Sequence, residues 1–275
     1  MEDIQNTKGD YGFKINKVGV ENILHPMILE NNQGSIINTI GNFSMAVSLE
    51  KGLRGINMSR LPIVLADLHN SGWKISDIRA DIKYFLDNIR ASMECEDGFL
   101  DIEFQYFVNK KAPVSNYAGI MPYKCKIQAS LCKDKEGSIA RSSYDNEDIF
   151  DLILTVEIPI TTLCPCSKAI SEFSAHNQRG YVEVSIKYGD TIYIEEIINT
   201  IESLASCEVY PILKRTDEKY VTEKAYENPR FVEDIVRLSA EKLFDDPRIH
   251  WLKISSIHQE SIHPHNAFAV IELYK

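Results

Sequence analysis

The chain has 275 residues, with 40 acidic against 30 basic side chains and a formal net charge of −10. A chain this acidic lacks the basic footprint that nucleic acid or an anionic membrane surface requires, so neither is expected as a partner. Its 44% hydrophobic and 25% charged residues match an ordinary folded globular protein, which excludes disorder and collagen-like structure.

The longest uncharged run, residues 31–49, carries four Asn, one Gln, three Ser and one Thr. Such a run is costly in lipid, and it alternates like a strand. The opening Met1-Glu2-Asp3-Ile4 has neither the basic nor the apolar region of a signal peptide. Six Cys are too few for a disulfide framework in a chain of this length, so a reducing, cytoplasmic setting is the expectation.

In chain order, residues 1–10 are polar and expected to be loosely held. Phe13, Ile15, Val18 and Val20 suggest a first strand, and Phe43, Met45, Val47 and Leu49 alternate as a second. Two helical patterns follow, Leu61 to Leu68 and then Ile75, Ile78, Ile82, Leu86 and Ile89. Leu100 to Val108 and Tyr123 to Leu131 read as strands. After a polar stretch, 133–148, the order repeats. Ile149–Ile160 and Tyr181–Tyr188 are strands, Ile194–Ala205 is a helix, and a second helix opens at Asn228-Pro229 as N-cap and N1. Ile249–Ile257 and Ala267–Leu273 close the chain as strands. Two tandem ββααββ modules, 1–140 and 141–275, are expected in an α+β architecture, with antiparallel sheet and helices on one face. Each half has too few strands to close a barrel alone, so assembly with other copies is expected.

The residues able to carry chemistry cluster in the second half. Cys164 and Cys166 directly follow a buried-type strand, and His176 lies twelve residues past Cys164. Thiolate plus imidazole is a zinc-type pair, set against a buried Cys pair near a surface His. Four of the seven His lie in the last 26 residues, among them His263-Pro264-His265. Residues i and i+2 of an extended segment share a side, so both rings can converge on one site; the plainer reading is an exposed turn between two strands. Arg215-Thr216-Asp217-Glu218 sits in a connection, 207–228, that is long enough to suggest function. Asp217 or Glu218 is a possible hard oxygen ligand there, set against a solvated charge run. Glu233 is either a site carboxylate or an i,i+4 partner of Arg237. Lys168, Arg179, Lys214 and Arg215 are the local positive charge that a triphosphate needs, or else ordinary surface. No P-loop, Rossmann or nucleophile-elbow glycine motif is present.

Taken together, several segments resemble the type IB GTP cyclohydrolases. They are Thr161-Thr162-Leu163-Cys164-Pro165-Cys166-Ser167-Lys168, Ala175-His176-Asn177-Gln178-Arg179-Gly180, Arg215-Thr216-Asp217-Glu218, residues 227–234 and residues 260–267. Tyr11-Gly12-Phe13-Lys14 and Met58-Ser59-Arg60 add to the match, and Asn57 departs from it where a His is expected. The resemblance implies a tunnelling fold and a homotetramer with active sites at subunit interfaces. It implies conversion of GTP and water to 7,8-dihydroneopterin triphosphate and formate, opening the route to tetrahydrofolate. It assigns a divalent metal (Zn2+, Mn2+ or Fe2+) to Cys164, His176 and Glu218. It gives proton transfer to His263 and His265, guanine binding to Glu233, and a place lining the site to Cys166. Lys168, Arg179 and Arg215 are the expected triphosphate contacts. Two alternatives stand beside it. One is a 7-cyano-7-deazaguanine reductase-like enzyme, whose Leu-Cys-Pro segment continues differently from Cys166-Ser167-Lys168. The other is a non-enzymatic zinc-binding oligomer.

Overall fold

The computed structural model describes Thr7, Gly9, residues 11–133 and residues 148–275. The expected module boundary at 140/141, and most of the expected loose N-terminus, lie outside the described residues. The elements run β1 (Ile15–Glu30), β2 (Ile36–Leu49), α1 (Arg60–Asn70), α2 (Ile78–Met93), β3 (Gly98–Lys111), β4 (Ala118–Cys132) and β5 (Ile149–Leu163). Then follow α3 (Pro165–Ile170), β6 (Asn177–Tyr188), α4 (Ile194–Leu204), β7 (Cys207–Glu208), α5 (Arg215–Glu227), α6 (Val232–Phe244), β8 (Ile249–Gln259) and β9 (Ala267–Tyr274). Strand neighbours follow the order β1-β2-β3-β4-β5-β6-β8-β9, with β7 beside β5. The pairs β1–β2, β2–β3, β5–β6, β6–β8 and β8–β9 are antiparallel. This is the expected α+β architecture. Among the described residues, no helix is long and apolar enough to cross a membrane.

The chain packs into two compact units. One comprises residues 1–104 and 126–153, the other residues 105–125 and 154–275. In the first unit, strand residues Phe43, Met45, Leu100 and Ile102 bury one sheet face under Leu61 and Leu65 of α1 and Phe85 and Leu86 of α2. Helix α2 starts where Asp77 accepts the Ala80 N–H at 2.9 Å, an N-cap interaction. Ile75, expected in that helix, instead bridges to Leu29, with its N–H donating to Ile28 O at 2.9 Å. Strand β1 continues well past Val20. Its pairing with β2 shifts register between Val20 and Ile23, where Asn22 has φ 61°, and this bulge hides the alternation from a sequence reading.

In the second unit, α4 buries Ile194, Ile197, Ile198 and Ile201. Each such side chain stabilises the fold by about 1.5–3 kcal/mol. The same helix buries two carboxylates, Glu195 and Glu202. Tyr106 donates its hydroxyl to Glu195 and Tyr123 donates to Glu202, both at 2.7 Å, and Lys110 pairs with Glu202 at 2.6 Å. Burial raises the Glu202 pKa, and the Lys110 charge and Tyr123 hydroxyl only partly offset it.

Two expectations for this unit are corrected. The connection 207–228 is not a long loop, because α5 occupies most of it. Only Asp217 and Ala225 of α5 are buried, so it carries no apolar stripe for periodicity to reveal. The next helix does not open at Asn228-Pro229 either. Asn228 closes α5, and α6 begins at Val232, where the Asp234 carboxylate accepts the Phe231 N–H at 2.9 Å.

Candidate active site

The site is organised around the end of β5. Cys164 has extended backbone and caps α3, with Pro165 following at a position where a missing N–H costs nothing. The Cys164 sulfur accepts the Ser167 N–H at 3.4 Å. Cys164 N–H donates to His176 O at 3.1 Å, and Arg230 N–H donates to Leu163 O at 3.0 Å. The Lys168 ammonium donates to Tyr226 O at 2.5 Å and lies 4.3 Å from the Tyr226 ring centroid. Ser261 Oγ sits 3.3 Å from His176 Nδ1. Four segments that are distant in sequence therefore meet here: residues 163–168, 176–178, 226–230 and 261.

His176 is oriented for ligation. Its Nδ1 lies 3.1 Å from Gln178 Oε1. In the tautomer with its proton on Nδ1, the ring donates to this oxygen and Nε2 keeps a lone pair for a metal. Metal-bound imidazoles are typically held this way through the other ring nitrogen. A half-buried thiol and an imidazole on adjoining strand ends thus fit a borderline-soft divalent ion.

The oxygen ligand is a different matter. Asp217 is fully buried, and its carboxylate accepts the N–H groups of Val114, Ser115 and Lys214 and the Ser115 hydroxyl, at 2.6–2.9 Å. Burial pushes its pKa up, but these donors more than reverse that and hold it well below the usual carboxylate range. It is thereby used up as an acceptor. Glu218, the next residue, is exposed in the first turn of α5. Among the described residues of this single chain, no group of three or more His, Cys, Asp or Glu is placed to hold a metal ion.

The remaining expected residues are placed as follows. His263 and His265 lie in the exposed turn between β8 and β9, with rings stacked at 5.0 Å and 12° apart. Cys166 is exposed on α3, and all six cysteines are free. Arg179 is exposed on β6 opposite Thr161, Arg215 is exposed at the start of α5, and Glu233 is exposed in the first turn of α6. His258 is buried on β8, with Nδ1 3.3 Å from the Thr162 hydroxyl oxygen. In the first unit, Asn57 and Arg60 line a cavity of about 580 Å³ together with Glu50, Glu94 and Glu96. Lys14 pairs with Glu50 at 2.8 Å and Asp97 at 3.1 Å in the same unit.

The fold is the tunnelling fold. A urate oxidase from Bacillus sp. TB-90 superposes with a TM-score of 0.57 at 9% identity, covering 95% of this chain and all of the other. The urate oxidase from Bacillus subtilis 168 gives 0.51 at 8% identity, covering 94% and 98%. Identities this low speak to architecture alone. Sequence comparison is more specific. Residues 1–269 match the family described as Type I GTP cyclohydrolase folE2. Proteins named GTP cyclohydrolase FolE2 from Methylobacillus flagellatus and Magnetococcus marinus are 40% and 39% identical, covering 99% of this chain and 95% and 96% of the relatives. The one from Syntrophobacter fumaroxidans is 37% identical over the full length of both chains. The chain belongs to the type I GTP cyclohydrolase FolE2 family. It is thus an enzyme of the GTP cyclohydrolase class, which selects the first reading over the reductase and the non-enzymatic oligomer.

Proposed function

We propose that the chain converts GTP and water to 7,8-dihydroneopterin triphosphate and formate, the first step towards tetrahydrofolate, using a divalent metal held by Cys164, His176 and Glu218. The observation that carries this reading is the meeting of the Cys164, His176, Arg230 and Ser261 segments at the end of β5. A bound Zn2+, Mn2+ or Fe2+ supplies Lewis acidity there, enough to bring a water pKa from about 15.7 to about 7.

The other tasks belong to the chain. Glu233 accepts the guanine N1–H and N2–H and so fixes the base in the site. His263 and His265, stacked on one turn, hold and move the proton at guanine N7. Cys166 borders the Cys164 thiolate. Lys168, Arg179 and Arg215 provide the positive charge for the triphosphate; Lys168 exchanges its bond to Tyr226 O for a phosphate oxygen.

The active form is a homotetramer with sites at subunit interfaces. The outer strands β1 and β9 support this, because they leave Leu24, Phe268, Val270 and Tyr274 exposed at 73%, 74%, 51% and 72%. A cytoplasmic location suits six free cysteines. The test is formate release from GTP by metal-stripped protein replenished with Zn2+, Mn2+ or Fe2+. Failure with every metal overturns the proposal.

A further inference from the structure

We infer that Ser261 is a positioning residue, which ties the turn bearing His263 and His265 to the proposed metal ligand His176. Ser261 Oγ lies 3.3 Å from His176 Nδ1, a side-chain contact that spans 85 residues of sequence. Two strand ladders bring the pair together. The β5–β6 ladder ends at Leu163 and Asn177, and the β6–β8 ladder ends at Arg179 and Gln259. His176 stands one residue before Asn177, and Ser261 two residues past Gln259, so both lie at the same end of the sheet.

Two oxygens face the same ring nitrogen, and they do different work. Gln178 Oε1, at 3.1 Å, comes from the same strand end, two residues along, so its contact orients the His176 ring alone. Ser261 belongs to the β8–β9 turn, so its contact also fixes where that turn sits. A hydroxyl oxygen accepts as a carbonyl does, and in the tautomer with its proton on Nδ1 the N–H is shared between the two. That tautomer is also the one that leaves Nε2 free for a metal. Metal loading and docking of the turn therefore favour each other, and the coupling is reciprocal. His263 and His265 lie two and four residues past Ser261, with their rings stacked at 5.0 Å, so the anchor at Ser261 bears on both.

This inference rests on the proposed roles of His176, His263 and His265, and the experiment separates it from them. Backbone hydrogen–deuterium exchange of residues 260–266 is followed with and without Zn2+ in the native protein, Ser261→Ala and Ser261→Thr. Zn2+ is expected to slow exchange there about 2–10-fold in the native protein and in Ser261→Thr, the size of one neutral hydrogen bond. In Ser261→Ala it should leave exchange unchanged, while bound Zn2+ stays near native because Gln178 still accepts from the ring. Steady-state kinetics should show kcat about 2–10-fold lower in Ser261→Ala with the KM for GTP unchanged, and Ser261→Thr should recover it. In a background of His263→Ala with His265→Ala, the Ser261→Ala change should cost nothing more, since it acts through those rings. Zn2+-induced protection that persists in Ser261→Ala, or that is absent from the Zn2+-loaded native protein, overturns the inference. So does an undiminished loss in the background without the two histidines. Native protein that binds no Zn2+ fails the metal reading, and the inference falls with it. If the doubly substituted histidine variant turns over GTP normally, the proton-transfer reading fails, and the exchange measurement, which needs no substrate, still decides whether Ser261 ties the turn to His176.

Discussion

Both carboxylate oxygens of Asp217 are engaged by Ser115: Oδ1 accepts its N–H at 2.8 Å and Oδ2 accepts its hydroxyl at 2.6 Å. This contact clamps the first turn of α5 to the β3–β4 connection and so sets where Arg215 and Glu218 stand. Asp217→Ala is expected to lower the melting temperature more than Thr216→Ala, its exposed neighbour, because it leaves three backbone N–H groups without their acceptor. Differential scanning fluorimetry on the two variants checks this; equal melting temperatures count against the clamp.

The same carboxylate makes an acid-sensitivity prediction. Its folded pKa is depressed, so its contribution is complete above the unfolded value of about 3.9 and is lost as pH falls below it. Between neutral pH and pH 4 the gap in stability between the native protein and Asp217→Asn should be constant. Below pH 4 the gap should narrow. Urea titrations at a series of pH values give the curve, and a gap that widens in acid has the wrong sign.

Cys164→Ala and His176→Ala are each expected to abolish formate release and to reduce bound metal. Gln178→Ala removes the acceptor beside His176 Nδ1 and should weaken metal affinity about 10–100-fold without removing a ligand. Metal analysis after dialysis against graded chelator ranks the three. Native metal content in Cys164→Ala would falsify the ligand assignment.

His263 and His265 are expected to act on chemistry. At least one of the two Ala variants should lose about 10²–10⁴-fold in kcat while keeping its metal, the usual worth of a positioned proton donor. Single-turnover formate release paired with metal analysis decides it. Normal turnover in both variants reduces the segment to a link between β8 and β9.

The Lys110–Glu202 pair tests the buried electrostatics of the second unit. Lys110→Met alone leaves Glu202 without its countercharge, with the Tyr123 hydroxyl still donating to it, and should cost about 3–5 kcal/mol. The double change Lys110→Met with Glu202→Leu should recover most of that loss, since replacing a buried pair with apolar side chains is often neutral. Denaturant melts of the single and double variants give the comparison, and a double variant as unstable as the single one refutes the account.

What was legible in the sequence follows from how each element is held. Strands with one buried face announced themselves by alternation, as in Leu100, Ile102, Phe104 and Tyr106. Helices with an apolar stripe did the same through Ile82, Phe85, Leu86 and Ile89. Helix α5 is illegible because it is held by polar contacts, at Asp217 and between Lys224 and Glu208, and the Ser115 partner of Asp217 lies 102 residues away along the chain. Helix α3 was missed because six residues are too few for periodicity, although Cys164-Pro165 is a readable N-cap and N1 pair. At the site, motif matching brought Cys164 and His176 forward.

The interleaving of the two units has a consequence for inheritance. Ser115, Tyr106 and Tyr123, which donate to Asp217, Glu195 and Glu202, all come from the short stretch 105–125, while the carboxylates they donate to come from beyond 154. A gene cut or recombined between these stretches would separate every one of those pairs at once and leave three carboxylates buried without the donors that make their burial tolerable. A replaced second half would need a 105–125 stretch that carries the matching Ser and Tyr, so the two stretches are expected to vary together.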